Sequence, residues 1–346
     1  MYDVITIGSA TIDVFVETDS ANIVSVCTKN KKSEFMSYPY GAKIDIDNFS
    51  SNVGGGGVNT AMNFANLGFK TAAIFKIGDD IYSEGVLKAF KDKEVDLSNI
   101  VRDPSDSTGF SIILTSFQGD RTVLAHRGAN AHIREADINF DAIKNSKFLY
   151  IAPLNGESNE IFDELMDFAE AHKVQTCFNA GTTSIKRGYE QLKRVLATAE
   201  VVVMNKEEAS MATQIEVRPD TKEVKYSQEL IHPDVKEMCK KLRVNNPQII
   251  VITDGSRGAY AYDSKHFYYC PIFDGPIVST LGAGDAFAST FCAAIAKTAN
   301  IGKSLMYASV NSASVVSIFG ATQGLLTFDE IEKRLSQKPE YKYIKE

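Results

Sequence analysis

The chain has 346 residues and 44% apolar content, enough to bury a large α/β core as one domain with an appendage, and no stretch approaches a transmembrane span. Its formal net charge is −7 with lysines and arginines scattered along the chain, so it lacks the basic stripe of a nucleic-acid-binding protein. The five cysteines are widely spaced without a CxxC pair and the five histidines lack metal-ligand spacing, which predicts reduced, mostly buried thiols in a cytoplasmic protein rather than a disulfide framework or a zinc site.

Strand-like and helical patterns alternate along most of the chain, as in a mostly parallel sheet covered by helices on both faces. Apolar strand-like runs are predicted at 4–7, 71–76, 148–152, 176–179, 201–205 and 249–253. Helical patterns include 161–171, 189–197, 286–296 and 304–319. Three of the strands end at a polar residue, namely Asn179, Asn205 and Thr253. Because ligands of open α/β sheets bind beyond the carboxyl ends of the strands, we expect a binding site at that edge.

Two segments, 14–53 and 107–126, interrupt the alternation. The first contains strand-like runs at 14–17, 35–38 and 43–49, with a polar loop through 29–32. The second has the pattern of a hairpin, with strands at 109–117 and 121–126 and a turn at 118–120. The alternation Phe110-Ser111-Ile112 predicts a sheet with one wet and one dry face. A β extension that serves only dimerisation is the alternative interpretation.

Four consecutive glycines at 54–57 precede a helical pattern that stops at Gly68. Glycines here would leave bare backbone next to a ligand, since no Cβ stands in the way. Asn59 supplies a donor and an acceptor one turn into the helix. By itself such a run is a weak signal, because a dinucleotide loop or a plain turn has the same composition.

A second glycine run, Gly282-Ala283-Gly284-Asp285, opens the helical pattern near the C-terminal end. Glycines and the unpaired amides of a helix N-terminus together form an anion site. An acid beside such a site is what phosphoryl transfer needs, since it can take the proton of an acceptor hydroxyl. Taken alone, the run also fits a helix that Asp285 merely caps.

Together the two glycine runs resemble the two signature regions of the ribokinase-like (PfkB) sugar and nucleoside kinases. Further matches to that family follow in the same order along the chain, at 4–8 with Asp13, 77–80, 205–208, 253–258, Asn311 and 320–321. The resemblance implies a ribokinase-like three-layer α/β/α fold with a mostly parallel central sheet and a small β-sheet lid. It places the core at 1–13, 54–106 and 127–337, the lid at 14–53 and 107–126, and a C-terminal tail at 338–346.

The resemblance also implies the reaction and the residues that perform it. The expected reaction transfers the γ-phosphoryl group of ATP, with Mg²⁺, to a hydroxyl of a small sugar. Asp285 would be the base, and the backbone amides of Gly282, Ala283 and Gly284 would hold the transferring group. The expected acceptor contacts are Asp13, Gly55, Gly56, Asn59 and Asn155. The expected nucleotide contacts are Asn205, Glu208, Thr253, Gly255, Gly258 and Asn311, with Glu208 acting on Mg²⁺ through water. Relatives often form homodimers through the lid, so a homodimer is expected here too.

The chain departs from the family pattern at two places. Ser279-Thr280-Leu281 lacks the acid that helps hold a monovalent cation in ribokinase, which puts potassium activation in doubt. Leu154 stands where ribokinase places a glutamate on the sugar, which weakens strict ribose specificity, although Asn155 or Glu157 could substitute.

Three alternatives to a sugar kinase stay open. A nucleoside kinase of the same family is the first, since that branch shares the fold and the motifs. A Rossmann oxidoreductase is disfavoured, because the run 7–11 lacks the second and third glycines of the dinucleotide fingerprint. A non-catalytic binding protein on the same fold is the third, and the presence of Asp285, Asn59 and Glu208 argues against it.

Overall fold

The structure is a computed structural model that describes residues 1–28, 32–116, 121–216, 231–245 and 248–346. The strands within these residues are β1 (Tyr2–Ile7), β2 (Thr11–Glu17), β3 (Asn22–Cys27), β4 (Lys32–Ser37), β5 (Asn48–Gly54), β6 (Thr71–Ile74), β7 (Lys76–Gly78), β8 (Val95–Asp96), β9 (Val101–Asp103), β10 (Gly109–Thr115), β11 (Arg121–His126), β12 (Ser146–Ile151), β13 (Gln175–Asn179), β14 (Val201–Asn205), β15 (Ile249–Thr253), β16 (Ala259–Tyr262), β17 (Phe267–Cys270) and β18 (Ile344–Lys345). The α-helices are α1 (Gly56–Asn66), α2 (Ile81–Ala89), α3 (Phe140–Lys144), α4 (Phe162–His172), α5 (Thr182–Lys186), α6 (Tyr189–Thr198), α7 (Lys206–Thr213), α8 (Pro233–Leu242), α9 (Ala283–Thr298), α10 (Ile301–Val316) and α11 (Phe328–Ser336).

Ten strands form the central sheet in the order β18-β17-β16-β15-β14-β13-β12-β1-β6-β8. The seven neighbouring strands β15, β14, β13, β12, β1, β6 and β8 are parallel to one another. At the other end of the sheet β16, β17 and β18 are added in antiparallel pairs. The C-terminal segment 338–346 therefore ends as an edge strand of the core, where the sequence predicted a separate tail. Its Tyr343 ring fills the space above Gly302, where a Cβ would lie 2.2 Å from the ring.

Apolar side chains alternate between the two faces of this sheet, and helices cover both. One face packs β1, β12 and β13 residues such as Ile5, Leu149 and Phe178 against α4, α6, α7 and α8. The other packs Val4, Tyr150 and their neighbours against α1, α9, α10 and α11. Burial on both faces explains why the strands are continuous apolar runs. The predicted three-layer α/β/α architecture is confirmed.

A second sheet of four strands, in the order β11-β10-β2-β5, is the lid sheet. Its strands β10 and β2 are parallel, while the two outer pairs are antiparallel. The strands of this sheet extend a few residues beyond the predicted lid segment 14–53, because β2 begins at Thr11 and β5 continues to Gly54. The predicted turn at 118–120 and Phe117 lie outside the described residues, as do 29–31 of the predicted polar loop.

Three element predictions differ from the structure. The run 71–76 is split into β6 and β7, because β7 leaves the central sheet and pairs with β9. Of the strand-like run 43–49 only the last two residues belong to a strand, β5. The predicted run 35–38 falls on β4, which pairs with β3, a strand that the sequence did not predict, in a separate two-stranded sheet.

The prediction of reduced thiols is contradicted for two of the five cysteines. Cys177 in β13 and Cys292 in α9 form a disulfide with a sequence separation of 115 residues, and both are fully buried. No spacing in the sequence relates the two, and only the packing of α9 on the sheet brings them together. Cys239 and Cys270 are buried free thiols, and Cys27 is exposed. Within the described ranges, no helix has the length and apolarity needed to cross a lipid bilayer.

Candidate active site

The two glycine-rich helix starts meet at one point of the fold. Asp285 lies in the first turn of α9, and Asn59 lies in the first turn of α1. The Asn59 Nδ2 donates a hydrogen bond of 2.8 Å to the Asp285 Oδ2, across 226 residues of sequence. The other amide atom, Asn59 Oδ1, is buried and has no hydrogen-bond partner among the residues that the structure describes. A buried carbonyl oxygen without a donor is costly, so this atom is a candidate to accept from a ligand hydroxyl.

Surrounding protein perturbs the Asp285 carboxyl group. Burial raises the pKa of Asp285, the hydrogen bond from Asn59 opposes that rise, and the charge of Asp13 adds to it. A base with a raised pKa holds a proton more strongly, which suits proton transfer near neutral pH. Tyr150 lies in the same low-dielectric region, and its own pKa is raised by burial and by the charge of Asp285.

Asp13 brings a second carboxylate to this region from the lid sheet. It is 7% exposed, accepts from Thr11 Oγ1 at 3.1 Å, and pairs across the sheet with Asn52 and Ser111. Burial raises the pKa of Asp13, while hydrogen bonds from Ser111 and Thr11 lower it. Directly opposite residues share one face of a sheet, so Asn52, Asp13 and Ser111 form a polar row. The prediction of a wet face at Ser111 is wrong, because Ser111 lies on the buried face of β10 with Ile113, whereas Phe110 and Ile112 on the other face are only half-buried. No local pattern indicated Asn52.

The glycines at 54–57 allow close contacts with neighbouring residues and also leave space beside the Asp285 carboxylate. A Cβ on Gly54 would lie 2.1 Å from Asp13 Oδ2, and one on Gly55, whose φ is +95°, would lie 2.5 Å from Ser9 O. A Cβ on Gly56 would lie 3.6 Å from Asp285 Oδ1, so Gly56 borders the carboxylate. Its amide, however, donates to Ser9 Oγ at 3.1 Å. Ser9 was missed in the sequence, because nothing in its spacing relates it to α1.

The turn before α9 has the geometry that its glycines predicted. Gly282 adopts φ 76°, and a Cβ there would lie 2.7 Å from Ala321 Cα. The first amides of α9 have no acceptor within the helix, as in any helix N-terminus. Ala283 and Gly284 line a cleft of about 520 Å³, and Asp13 and Asp285 do not line it.

That cleft collects most of the predicted nucleotide-side residues. Asn205, Thr253, Gly255 and Gly258 line it, as parallel strands β14 and β15 end side by side there. The sequence missed its apolar part, which consists of Ile272, Phe273, Ile277, Phe287, Ala313 and Val316. A cleft lined by apolar side chains and by the N-terminus of a helix fits a purine base and its phosphates.

Asn311 is a correction to the prediction. Its side chain is fully buried between helices, with hydrogen bonds to Asn63, to Thr290 and from the amide of Leu326. The residues of α10 that line the cleft are Ser309, Ser312, Ala313 and Val316, which share one helical face. Two residues along a helix correspond to about 200° of rotation, so Asn311 faces away from Ser309 and from the cleft.

The Asn205-x-x-Glu208 pair has a structural role that its spacing also predicts. Asn205 Oδ1 accepts from the Glu208 amide at 2.8 Å, and Glu208 Oε2 accepts from the Asn205 amide at 3.0 Å. This reciprocal arrangement is a capping box. Burial raises the pKa of Glu208, and the charge of Glu207 raises it further. Glu207, rather than Glu208, lines the cleft.

The sequence suggests that Asn155 or Glu157, in the loop after β12, could substitute for the sugar-binding glutamate that Leu154 replaces. Leu154 is buried in the core at 2% exposure, and Glu157 lies on the surface 3.2 Å from His132. Asn155 is half-buried, and its Oδ1 accepts from Thr183 Oγ1 at 3.4 Å. Of the two expected substitutes, Glu157 is therefore committed to a surface pair, and Asn155 stays a predicted acceptor contact.

The described parts of the chain contain no cluster of three or more His, Cys, Asp or Glu side chains with metal-binding geometry. The residues of the cleft with carboxylate or amide oxygens that could ligate a cation are Asn205, Glu207 and Asp274, and Glu208 is joined to Asn205 through the capping box. Few carboxylates and an open cleft fit Mg²⁺, which keeps several waters and binds mainly substrate phosphates.

Comparisons with known proteins bear on the family and the fold of the chain. Residues 3–327 match the family model described as pfkB family carbohydrate kinase. The chain is 27% identical over 297 residues to the 5-dehydro-2-deoxygluconokinase of Geobacillus thermodenitrificans, which covers 82% of this chain and 84% of that protein. It is 25% identical over 301 residues to the bifunctional ribokinase/ribose-5-phosphate isomerase A of Fructilactobacillus sanfranciscensis, covering 86% of this chain but only 52% of that protein.

Solved structures show the same fold. The structure of Arabidopsis thaliana ribokinase complexed with ribose and ATP superposes with a TM-score of 0.75 at 19% identity, covering 96% of this chain and 98% of that one. The Burkholderia thailandensis nucleoside kinase in complex with inosine superposes equally well, with a TM-score of 0.75 at 15% identity and coverages of 98% and 99%.

Proposed function

The chain belongs to the pfkB family of carbohydrate kinases, which are ATP-dependent sugar phosphotransferases. We propose that it transfers the γ-phosphoryl group of ATP to a hydroxyl of a small sugar with Asp285 as the base. The observation that carries the proposal is the 2.8 Å contact between Asn59 and Asp285. It lies where the polar row of the lid sheet and the N-terminus of α9 converge.

In the proposed reaction each group has one task. Asp285 removes the proton of the acceptor hydroxyl, and Asn59 holds that carboxylate in place through its Nδ2 while its free Oδ1 accepts from a second sugar hydroxyl. Asp13 binds further hydroxyls, since a carboxylate can accept from a vicinal pair. The backbone amides from Gly282 to Asp285, at the start of α9, stabilise the charge of the transferring group. Gly55 and Gly56 leave room for the sugar beside the carboxylate.

ATP occupies the cleft in this proposal, with Asn205, Thr253, Gly255 and Gly258 along its nucleotide. Bound Mg²⁺ would neutralise phosphate charge there, and Glu208 would hold one of its waters. No feature of the residues argues for a monovalent cation, because Ser279-Thr280-Leu281 provides no acid.

Glu208→Gln should raise the Mg²⁺ concentration needed for half-maximal activity while leaving the sugar KM within about twofold. The reason is that a neutral amide polarises a metal-bound water less than a carboxylate does. The measurement is a Mg²⁺ titration of initial rates at saturating ATP and sugar. Glu207→Gln is the matched control, since it removes the neighbouring charge at the cleft. If only the Glu207 variant shows the raised requirement, the metal-side residue is Glu207.

The acceptor proposed here is a sugar or sugar-like polyol, and the runner-up is a nucleoside. Relatives named for sugars and sugar acids support the first, whereas nucleoside kinases share the fold. The nucleobase of a nucleoside needs an apolar slot, and the aromatic side chains of the lid segments provide little surface for one. Phe110 packs against Tyr82 with ring centroids 5.1 Å apart, and Phe35 and Tyr40 are exposed.

A coupled assay of ADP formation decides between the acceptors. The panel contains ribose, fructose, 2-keto-3-deoxy sugars, sugar phosphates, adenosine, inosine and cytidine. Sugar-dependent ADP formation is expected. Phosphorylation of nucleosides with inert sugars would move the protein to the nucleoside branch, and no acceptor-dependent ADP formation would favour a binding protein.

A homodimer through the lid is a further proposal, together with a cytoplasmic location. Its support is exposed apolar surface at Val123 and Leu124 of β11 and at Val24, Val26 and Phe35 of the β3–β4 hairpin. We expect light scattering to give about twice the 38.0 kDa chain mass. Val24→Lys combined with Phe35→Glu should return the mass to one chain, and a wild-type mass of one chain would contradict the proposal.

A further inference from the structure

A fully buried polar cluster lies one helical turn behind the contact between Asn59 and Asp285. Asn63 follows Asn59 by four residues on α1 and has no exposed surface. Its Nδ2 donates to Ser289 Oγ at 2.7 Å and to Thr290 Oγ1 at 2.8 Å, both on α9. Ser289 in turn follows Asp285 by four residues and donates to the Asp285 carbonyl oxygen. Residues four apart lie above one another on a helix, so two contacts in successive turns join α1 to α9.

Asn311 extends the cluster to a third helix. Its Nδ2 donates to Asn63 Oδ1 at 2.9 Å and to Thr290 Oγ1 at 2.7 Å. Its Oδ1 accepts from the Leu326 amide at 2.9 Å, which ties in the segment that follows the Gly320 turn. Both hydrogens of each amide group thus have an acceptor. A network whose amide groups are all satisfied tolerates burial, whereas unsatisfied buried amides do not.

The surroundings of the cluster are apolar, with Phe287, Phe291 and Phe64 on the same helices. Apolar side chains would pack there as densely, but they would not fix the register of α1 along α9, because dispersion contacts are not directional. Hydrogen bonds with defined donors and acceptors do fix it. The register of these helices determines where Asn59 meets Asp285, and a misplacement of about 1 Å at a reacting group costs on the order of 10²-fold in rate.

We propose that Asn63, Thr290 and Asn311 are positioning residues that hold the Asp285 carboxylate in register with the acceptor by clamping α1, α9 and α10 together. None of the three touches the cleft or the carboxylate directly, and each acts through Asn59 or through the first turn of α9. This inference rests on the proposed kinase reaction. It also gives Asn311 a role in place of the nucleotide contact that the sequence predicted.

The test compares Thr290→Val with Thr290→Ser. Valine keeps the shape of threonine but removes the oxygen that accepts from both amides, while serine keeps that oxygen. We expect Thr290→Val to lower kcat roughly 10- to 100-fold with the KM for ATP within about twofold, and Thr290→Ser to restore most of the rate. Because the hydrogen bond from Asn59 opposes the raised pKa of Asp285, a loosened contact should also shift the acid limb of the kcat profile to higher pH.

Gln248→Ala is the control for lost stability. Gln248 is 2% exposed and its amide bonds to Leu196 and Ala199, so its loss also leaves buried groups unpaired, away from the site. It should lower the melting temperature without changing kcat or the pH profile. Should Thr290→Val not fold, Ser289→Ala removes one acceptor and should show the same pH shift with a smaller loss of kcat.

The outcomes separate the two proposals. Equal kcat and equal pH profiles for Thr290→Val and Thr290→Ser, in a wild type that phosphorylates a sugar, would overturn the positioning role alone. The positioning role would also be overturned if Gln248→Ala lowered kcat as much as Thr290→Val does. A wild type without acceptor-dependent ADP formation would overturn the kinase reaction and this inference together.

Discussion

Asp285→Asn should lower the turnover number by about 10²–10⁴-fold, the usual effect of losing a positioned base, while ATP still binds. Asparagine keeps the size of the side chain but cannot take the proton of the acceptor hydroxyl. The nucleotide cleft should be unaffected, since the carboxylate does not line it. The measurements are steady-state kinetics with the best acceptor and calorimetric titration with ATP. Near-normal turnover in the variant would remove Asp285 from the role of base.

The same substitution should leave the protein at least as stable as the wild type at neutral pH. Burial raises the pKa of Asp285 in the folded state, so its contribution to stability is present at low pH and is lost as the pH rises through that raised pKa. A neutral amide avoids this loss. Asp263→Asn is the converse control, because hydrogen bonds from the His266 and Lys265 amides outweigh desolvation and lower the pKa of Asp263. That variant should lose stability above the unfolded-state pKa and keep its turnover.

Gly282→Ala should reduce turnover by roughly 10²-fold, similar to the loss of one donor from an oxyanion hole. Gly282 has φ 76°, and a Cβ would lie 2.7 Å from the Ala321 backbone, so the turn must move. Movement there shifts the first amides of α9 away from the transferring group. Kinetics at saturating ATP and sugar, with urea unfolding of each variant, provide the measurement.

Gly68→Ala is the control that separates the strain of a left-handed backbone conformation from a displacement of the turn before α9. Gly68 has a similar φ of +84° but no atom within 4 Å of the added Cβ, and it lies at the far end of α1. It should cost about 1–2 kcal/mol of unfolding free energy from the left-handed conformation and leave turnover unchanged. Gly282→Ala with the same unfolding cost and normal turnover would show that the turn does not place the catalytic amides.

Part of the site was readable from local patterns. The two glycine runs predicted two helix starts with bare backbone, and the strand ends predicted Asn205 and Thr253 at one edge of the sheet. Each of these features follows from the geometry of a single element or of neighbouring parallel strands.

Other parts were not readable in this way. Asn311 was expected at the nucleotide, but its position on α10 faces away from the cleft by half a helical turn. Its partners Asn63 and Thr290 are 248 and 21 residues away in sequence. The pairing of Cys177 with Cys292 and the support of Gly56 by Ser9 are equally distant relations. The edge strand β18 has only two residues, which carry too little pattern to predict a strand.

The sequence by itself determined the fold class, the family and the chemical groups available to the site, because periodicity, glycine runs and ordered motifs are local properties of the chain. Only the tertiary structure decided which of those groups meet. Asn59 and Asp285 are 226 residues apart, and their contact exists because α1 and α9 pack side by side on the same face of the sheet. Packing of that kind depends on the summed burial of many side chains, which no short stretch of sequence contains.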